Sequence, residues 1–227
     1  MRLLAPRGEA AARFASAGRP ANSTPWREAS WCALDLELTG LDPRRHEIIA
    51  VGAVPIEEGR VMLGQSVYTL VRTTQRSDPN AVLVHKLLVA DLASAPALNE
   101  AFDLILDVLA GRVPVFHTAM VERAFLAPLF ARRRVRLPAA ADTELLGRAW
   151  LRERGDGPAE PLALSRLARE LDQPAEPPHH ALGDALTTAK AFIALAAHLD
   201  RVEPQTVGSL VRGERWLRRI VSGTAAA

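Results

Sequence analysis

The rhythm of apolar positions changes several times along the chain. Residues 1–29, rich in Ala, Arg, Gly and Pro, read as a partly helical or irregular extension. Trp31 to Leu38 carries the first strong strand signal, and Glu47 to Ile56, rich in Ile and Val, carries the second. The run Glu57-Glu58-Gly59-Arg60 is a turn signal, and Val61 to Val71 reads as a third strand. The opening is therefore an antiparallel meander. Helical spacing follows. Leu83, Leu87 and Leu88 suggest a short helix. Leu98, Phe102, Ile105, Leu106 and Leu109 suggest a longer one, entered near Ser94 and Pro96 and ended by Gly111. Val113 to Phe116 is a short buried strand. Glu122 to Arg132 is helical, with Pro128 as a possible kink. Leu137 to Ala141 reads as a fifth strand. Helices follow at Thr143 to Arg154, Leu162 to Leu171 and Ala181 to Leu199, with a loop at Gly155-Asp156-Gly157-Pro158. A last helix runs from a Thr206 cap through Ile220. Three strands, then strands alternating with helices, predict an α/β fold with a mixed sheet flanked by helices. The divisions are an N-terminal extension at 1–29, a main domain at 30–200 and a helical tail at 201–227.

Composition narrows the picture slightly. At 227 residues and 48% hydrophobic, the chain has enough apolar material for a real core. Net charge is only +2 although the pI is 9.2. The two agree because Lys86 and Lys190 are the only lysines and every other basic residue is Arg, which stays charged far above neutrality. A local basic patch is compatible with this, and global steering of nucleic acid is not implied. Cys32 is the sole cysteine, which rules out an internal disulfide and suits a reducing cytoplasm. No apolar run reaches spanning length, so no membrane partner is expected. The first residues lack the sustained apolar stretch of a secretory signal.

Two acidic clusters change the reading. In WCALDLELTG, Asp35 and Glu37 lie two apart, so a strand places them on one face with Leu34, Leu36 and Leu38 on the other. Like charges so close raise each other's pKa unless a cation sits between them. Hard carboxylate oxygens suit Mg²⁺ or Mn²⁺. The pattern also fits the solvent-facing edge of a half-buried strand. In PPHHALGDALTTAKAFIAL, His179 lies just before a long helix and Asp184 in its first turns. The positive end of the helix dipole disfavours imidazolium there, and a neutral ring can take a proton from water. The same residues also read as caps and dipole complements.

Together, DLELTG and the downstream HHALGDA resemble the DnaQ-like DEDDh 3′→5′ exonucleases, the family of proofreading subunits and oligoribonuclease. The likeness runs from about Trp31 to Leu199. It implies an RNase H-like fold, a five-stranded mixed sheet with helices on both faces. It also implies two divalent metal ions, with Asp35, Glu37 and Asp184 at the metal beside the scissile phosphate and Asp35 bridging to the second. His179 would be the general base. The backbone near Leu38 and Thr39 would hold the terminal nucleotide, and Leu41 would wedge against its base, though Leu41 also reads as a core residue. His85 falls at a family position near the nucleotide and reads equally as an ordinary core or surface His.

The middle motif departs from the family. In FHTAMVERAFL, His117 is retained, but Thr118, Val121 and Glu122 stand where Asn, Phe and Asp are usual. Glu122 keeps the charge with one more methylene, so it is a candidate ligand of the second metal or an ordinary helix-surface Glu. Asp142 reads first as a helix cap before Thr143. Arg132, Arg133, Arg134 and Arg136 could contact phosphates or form a solvated face, as could Arg215, Arg218 and Arg219. Trp150 and Trp216 read as packing residues. The expected function is metal-dependent removal of nucleoside monophosphates from a nucleic-acid 3′ end, by analogy DNA before RNA, with a polymerase or other protein as a possible partner. The alternative is a 3′-end- or partner-binding module of the same fold that cleaves weakly or not at all.

Overall fold

The computed structural model describes residues 5–156 and 161–212. The expected last helix beyond Arg212, Trp216, the arginines at 215, 218 and 219, and the loop at 157–160 lie outside the described residues.

The meander forms as expected. β1 (Trp31–Leu38) pairs antiparallel with β2 (Ile48–Glu57), and β2 pairs antiparallel with β3 (Arg60–Val61) and β4 (Val67–Leu70). The anticipated third strand is thus two pieces, broken by a 3₁₀ turn at Leu63–Gln65. Both pieces lie against β2, so six strands fill five positions across the sheet. β5 (Val113–Phe116) joins β1 in parallel, and β6 (Ala141–Asp142) joins β5 in parallel. β6 is shorter than Leu137–Ala141 suggests. Asp142 turns at once into a helix cap, which ends the pairing.

Nine helices are described. α1 (Glu9–Ser16), α4 (Leu98–Leu109) and α5 (Ala119–Arg132) cover one face of the sheet. Cys32, Leu34, Leu36 and Leu38 of β1 point that way and meet Phe102, Ile105, Phe125 and Phe130. Phe14 of α1 joins them edge-on to Phe130 at 5.5 Å, so part of the N-terminal extension belongs to this core. Pro128 does not divide α5, which is one helix through Arg132. The other face holds α6 (Thr143–Glu153), α7 (Leu164–Glu170), α8 (Ala181–Val202) and α9 (Val207–Arg212). There Trp31 and Ala33 of β1 pack with Trp150, Phe192, Leu195 and Leu199. Two short helices, α2 (Pro79–His85) and α3 (Val89–Leu92), follow β4. Thr206 and Ser209 cap α9 reciprocally, each side chain accepting from the other's backbone N–H.

Strand alternation decides where the carboxylates go. Because Leu34, Leu36 and Leu38 fill the α4–α5 face, Asp35 and Glu37 must project toward α8. The β1–β2 register slips between Glu37 and Leu38, so the strand bends away at the point where Glu37 ends the acidic pair.

Candidate active site

Gly52 sets how α8 meets the sheet. It pairs with Asp35 on one side and Tyr68 on the other, so these three positions form one row on the α8 face. A Cβ at Gly52 would lie 2.2 Å from the carbonyl carbon of Ala181 and 2.3 Å from the nitrogen of Leu182. Only glycine lets the first turn of α8 rest directly on the strand. At the next position in the row, the His180 ring stacks on Tyr68 with centroids 4.6 Å apart. His180 also caps α8, its Nδ1 accepting from the Gly183 N–H at 3.4 Å. The residue before it, His179, holds a left-handed backbone with φ 67° and donates its N–H to Asp184 Oδ2 at 2.8 Å.

This seating brings Asp184 to the two strand carboxylates. One oxygen from each of Asp35, Glu37 and Asp184 lies within 4.8 Å of the others. Burial, and then the charges of Glu122, Asp184 and Glu37, push Asp35 well above the usual carboxylate range. Burial and Asp184 push Glu37 up to about 7. Asp184 is also raised by burial, against the opposing N–H of His179 and the His179, His117 and His180 rings.

Glu122 lies in the first turn of α5, is 6% exposed, and is pushed up to about 8 by burial and by Asp142. A buried side chain is not what an ordinary surface Glu shows. Its Oε2 and the Oε1 of Glu37 are buried without a hydrogen-bond partner. Orphaned buried carboxylate oxygens are costly, and a divalent cation removes the cost by supplying charge and coordination together. The donor set is all oxygen, so the residues present fit hard divalent ions.

α5 and α6 start from a shared carboxylate. Asp142 Oδ1 accepts from the N–H groups of Glu144 and Leu145, and its Oδ2 accepts from Ala119 N–H at 2.8 Å. Its first reading as a cap is what the geometry displays. Thr118, just before α5, sits at φ 64° and ψ 55°. That left-handed conformation suits Asn better than β-branched Thr, which gives a physical reason for the Asn usual in the motif. Thr118 Oγ1 donates to Glu144 Oε2 at 3.3 Å. His117 bridges Thr143 Oγ1 at 2.9 Å and the Leu162 carbonyl at 2.8 Å, and burial lowers its pKa.

A cleft of about 490 Å³ opens beside Glu37, lined among others by Leu38, Leu41, Val84, His85 and Val121. Leu41 is 75% exposed, so it is not a core leucine. Thr39 is fully buried: its N–H donates to Glu47 O, and its Oγ1 accepts from Glu47 N–H and bonds Gln75 Oε1. Its side chain braces the cleft wall rather than facing the cleft. His85 is buried, and its Nδ1 accepts from Leu87 N–H at 3.0 Å, which leaves the proton on Nε2. That Nε2 has no partner. Trp150 packs in the α8 core as expected.

Sequence reasoning missed Tyr68 and the seat at Gly52. A glycine inside an Ile/Val strand is a signal for close backbone approach, and it was available in the sequence.

The carboxylates make one prediction about stability. Glu37 and Glu122 have raised folded-state values, so between about pH 4.5 and 8 the folded metal-free protein holds protons that the unfolded chain has released. Stability from these groups is present at the acid end and is lost as pH rises through 7 and 8. The melting temperature of the metal-free protein should therefore fall across this window. Mn²⁺ should raise it more at pH 8 than at pH 5.5. A metal-induced shift that is equal at both pH values would contradict this.

Comparison with known proteins agrees with this geometry. Residues 32–192 match the RNase T family, described as exonuclease. The DNA polymerase III subunit epsilon-like protein of Rhodobacter capsulatus is 31% identical over 191 residues, covering 83% of this chain and 27% of that protein. The PolC-type DNA polymerase III of Thermotoga petrophila is 26% identical over 183 residues, covering 78% of this chain and 12% of that protein. The chain thus spans about a quarter or less of these relatives. Exonuclease X in complex with 5′ overhanging duplex DNA superposes with a TM-score of 0.59 at 20% identity, over 80% of this chain and 98% of that one. E. coli exonuclease I with a dA16 oligonucleotide gives 0.64 at 16% identity, over 77% and 42%. No helix among the described residues is long and apolar enough to cross a membrane. With the matched family covering most of the chain and the mixed sheet in the expected order, the protein belongs to the RNase T exonuclease family and has its DnaQ-like, RNase H-like fold.

Proposed function

We propose that the protein is a metal-dependent 3′→5′ exonuclease that releases nucleoside monophosphates from a DNA 3′ end. The observation that carries this reading is the convergence of Asp35, Glu37 and Asp184, with Glu122 outside that trio but buried and raising Asp35 by its charge. Asp35, Glu37 and Asp184 would hold one divalent ion, and Asp35 with Glu122 a second. Such an ion pair, when bound, stabilises the attacking and leaving oxygens of an in-line displacement.

The chain's own residues do the rest. The His179 imidazole, carried on a segment fixed by its bond to Asp184 and by the His180 stack, takes the proton of the attacking water. Leu38, Leu41 and Val84 offer apolar surface to the terminal sugar and base. His85, kept neutral by burial, presents Nε2–H as a donor to the same nucleotide. DNA is favoured over RNA by the polymerase III relatives, which also make a polymerase a reasonable partner, whereas the structures of similar fold include both DNA-bound exonucleases and a 3′-exonuclease that recognises a histone mRNA stem-loop. One observation favours a second reading, a 3′-end-binding module that cleaves weakly: Glu122 and Thr118 replace the usual Asp and Asn.

The test is release of mononucleotides from matched DNA and RNA oligomers in Mg²⁺ and Mn²⁺. No release from either, with binding retained, would favour the module. Glu122 provides a sharper measurement. Its extra torsion holds a metal less rigidly than Asp would, so activity should need more metal and prefer Mn²⁺. Glu122→Asp should shift the half-saturating metal concentration downward, and Glu122→Ala should remove most activity. Wild-type behaviour of Glu122→Ala would take Glu122 out of the site.

A further inference from the structure

The basic run after α5 is larger in space than in sequence. Arg7 N–H donates to the Arg133 carbonyl, and Arg133 Nη1 donates back to the Arg7 carbonyl, so the start of the described chain is tied to the end of α5. Arg19 Nη2 donates to the Arg136 carbonyl at 3.1 Å. These ties bring together the segments that carry Arg7, Arg19, Arg132, Arg134 and Arg136, and all five are exposed. Arg13 and Arg133 in the same region are paired with Asp107 and Asp103. None of the other five has a carboxylate within ion-pair distance among the described residues. Between Arg19 and Arg136 lies a cavity of about 250 Å³, also lined by Asn22, Leu137, Pro138 and Val207. Partial enclosure at this cavity, and then the charge of Arg136, lower the pKa of the otherwise exposed Arg19. Two adjacent guanidinium groups at a cavity are a planar-donor receptor for a phosphate or carboxylate.

The patch has a defined relation to the carboxylate cluster. α5 begins beside that cluster at Glu122 and ends in the patch. Along its axis Glu122 and Arg132, the last residue of α5, are about 15 Å apart at 1.5 Å per residue, and Arg134 lies two residues beyond. The stretch from Pro138 to Asp142 makes a second link, since Pro138 lines the cavity and Asp142 caps α5 at the cluster. A stacked strand rises about 3.4 Å per nucleotide, so this distance is about five nucleotides.

We propose that the arginine patch at Arg19, Arg134 and Arg136 is a second nucleic-acid contact, holding backbone phosphates about five nucleotides from the 3′ end in the cleft. The inference rests on the nuclease reading for the identity of the polyanion. That same reading favours nucleic acid over an acidic protein, because a strand entering the cleft already extends past the protein surface. The patch reads no sequence. It adds affinity for strands long enough to reach it and makes that affinity salt-dependent.

The test measures binding in the slow His179→Ala background with Mn²⁺, using single-stranded DNA of three and ten nucleotides, so that it does not require cleavage. The ten-mer should bind at least about tenfold more tightly. The plot of log affinity against log salt should steepen by about 0.7 for each added phosphate contact. R19Q/R134Q/R136Q should bring the ten-mer toward the three-mer and flatten that slope. R132Q/R134Q, which leaves the Arg19 stacking on Phe14 in place, should do so partly. R44Q/R60Q/R201Q removes three charges, as the triple variant does, from other exposed positions and should keep the length dependence. An unchanged length dependence in the triple variant would overturn the proposal. So would full competition by inorganic phosphate alone, which would mark a small-anion site, or by poly-glutamate at matched ionic strength, which would mark a site for an acidic protein. Absence of nucleotide release by the wild-type enzyme, with the length dependence intact, would instead count against the catalytic reading only.

Discussion

Asp35→Asn is expected to lower nucleotide release by on the order of 10³-fold or more, while making the metal-free protein more stable. Asp35 is the carboxylate on which the charges of Glu122, Asp184 and Glu37 all converge. It is also the residue proposed to touch both metal sites, so its loss removes the shared oxygen of a two-metal arrangement. Stability should move the opposite way. Asn has nearly the shape of Asp, carries no charge, and offers two N–H donors to neighbouring carboxylates whose oxygens lack partners. Relief of about 1–3 kcal/mol corresponds to a rise of roughly 2–12 °C in the melting temperature of a domain this size. Opposite signs in the two measurements are the signature of a site held together against its own repulsion. A substitution that loses activity and also lowers the metal-free melting temperature would make Asp35 a structural residue.

His179→Ala should lower turnover by about 10²–10⁴-fold, the usual contribution of a positioned base. The fold should survive. The ring is exposed, and the contact His179 makes to Asp184 comes from its backbone N–H, which Ala keeps. Mn²⁺ should still raise the melting temperature. His180→Ala should differ in kind. It removes a helix cap and a ring stack, so it should lower stability by about 1 kcal/mol and affect turnover less. Parallel measurements of kcat and thermal midpoint separate the two. Equal losses of kcat would put the base at the wrong histidine.

Much of this was legible in the chain because period-2 and period-3.6 patterns are local. β1 and β2 lie within two residues of their sequence boundaries, and α8 begins at Ala181 as read. What escaped was non-local. The break between β3 and β4 follows from how one edge segment turns at Leu63–Gln65, and no apolar period marks it. The burial of Glu122 depends on how α5 docks over β1, so the sequence left it open between ligand and surface residue. The gathering of Arg7 and Arg19 onto the Arg132–Arg136 run depends on hydrogen bonds between segments more than a hundred residues apart. The placement of Leu41 on the cleft rim was undecidable for the same reason, since one leucine carries no period.

The direct rest of α8 on Gly52 makes the site a rigid vessel. No side chain lies between helix and strand to compress, and the His180–Tyr68 stack and the Asp184–His179 bond fasten the same turn. Repulsion among the carboxylates therefore cannot be relaxed by swinging the helix away. It is relaxed by taking up hydrogen ions. Filling the site with metal is then an exchange reaction in which protons leave as cations enter, and mild acid competes with the metal for the same oxygens. An architectural detail on β2, the bare backbone beside Asp35, thus ties the loading of the site to the acidity of its surroundings.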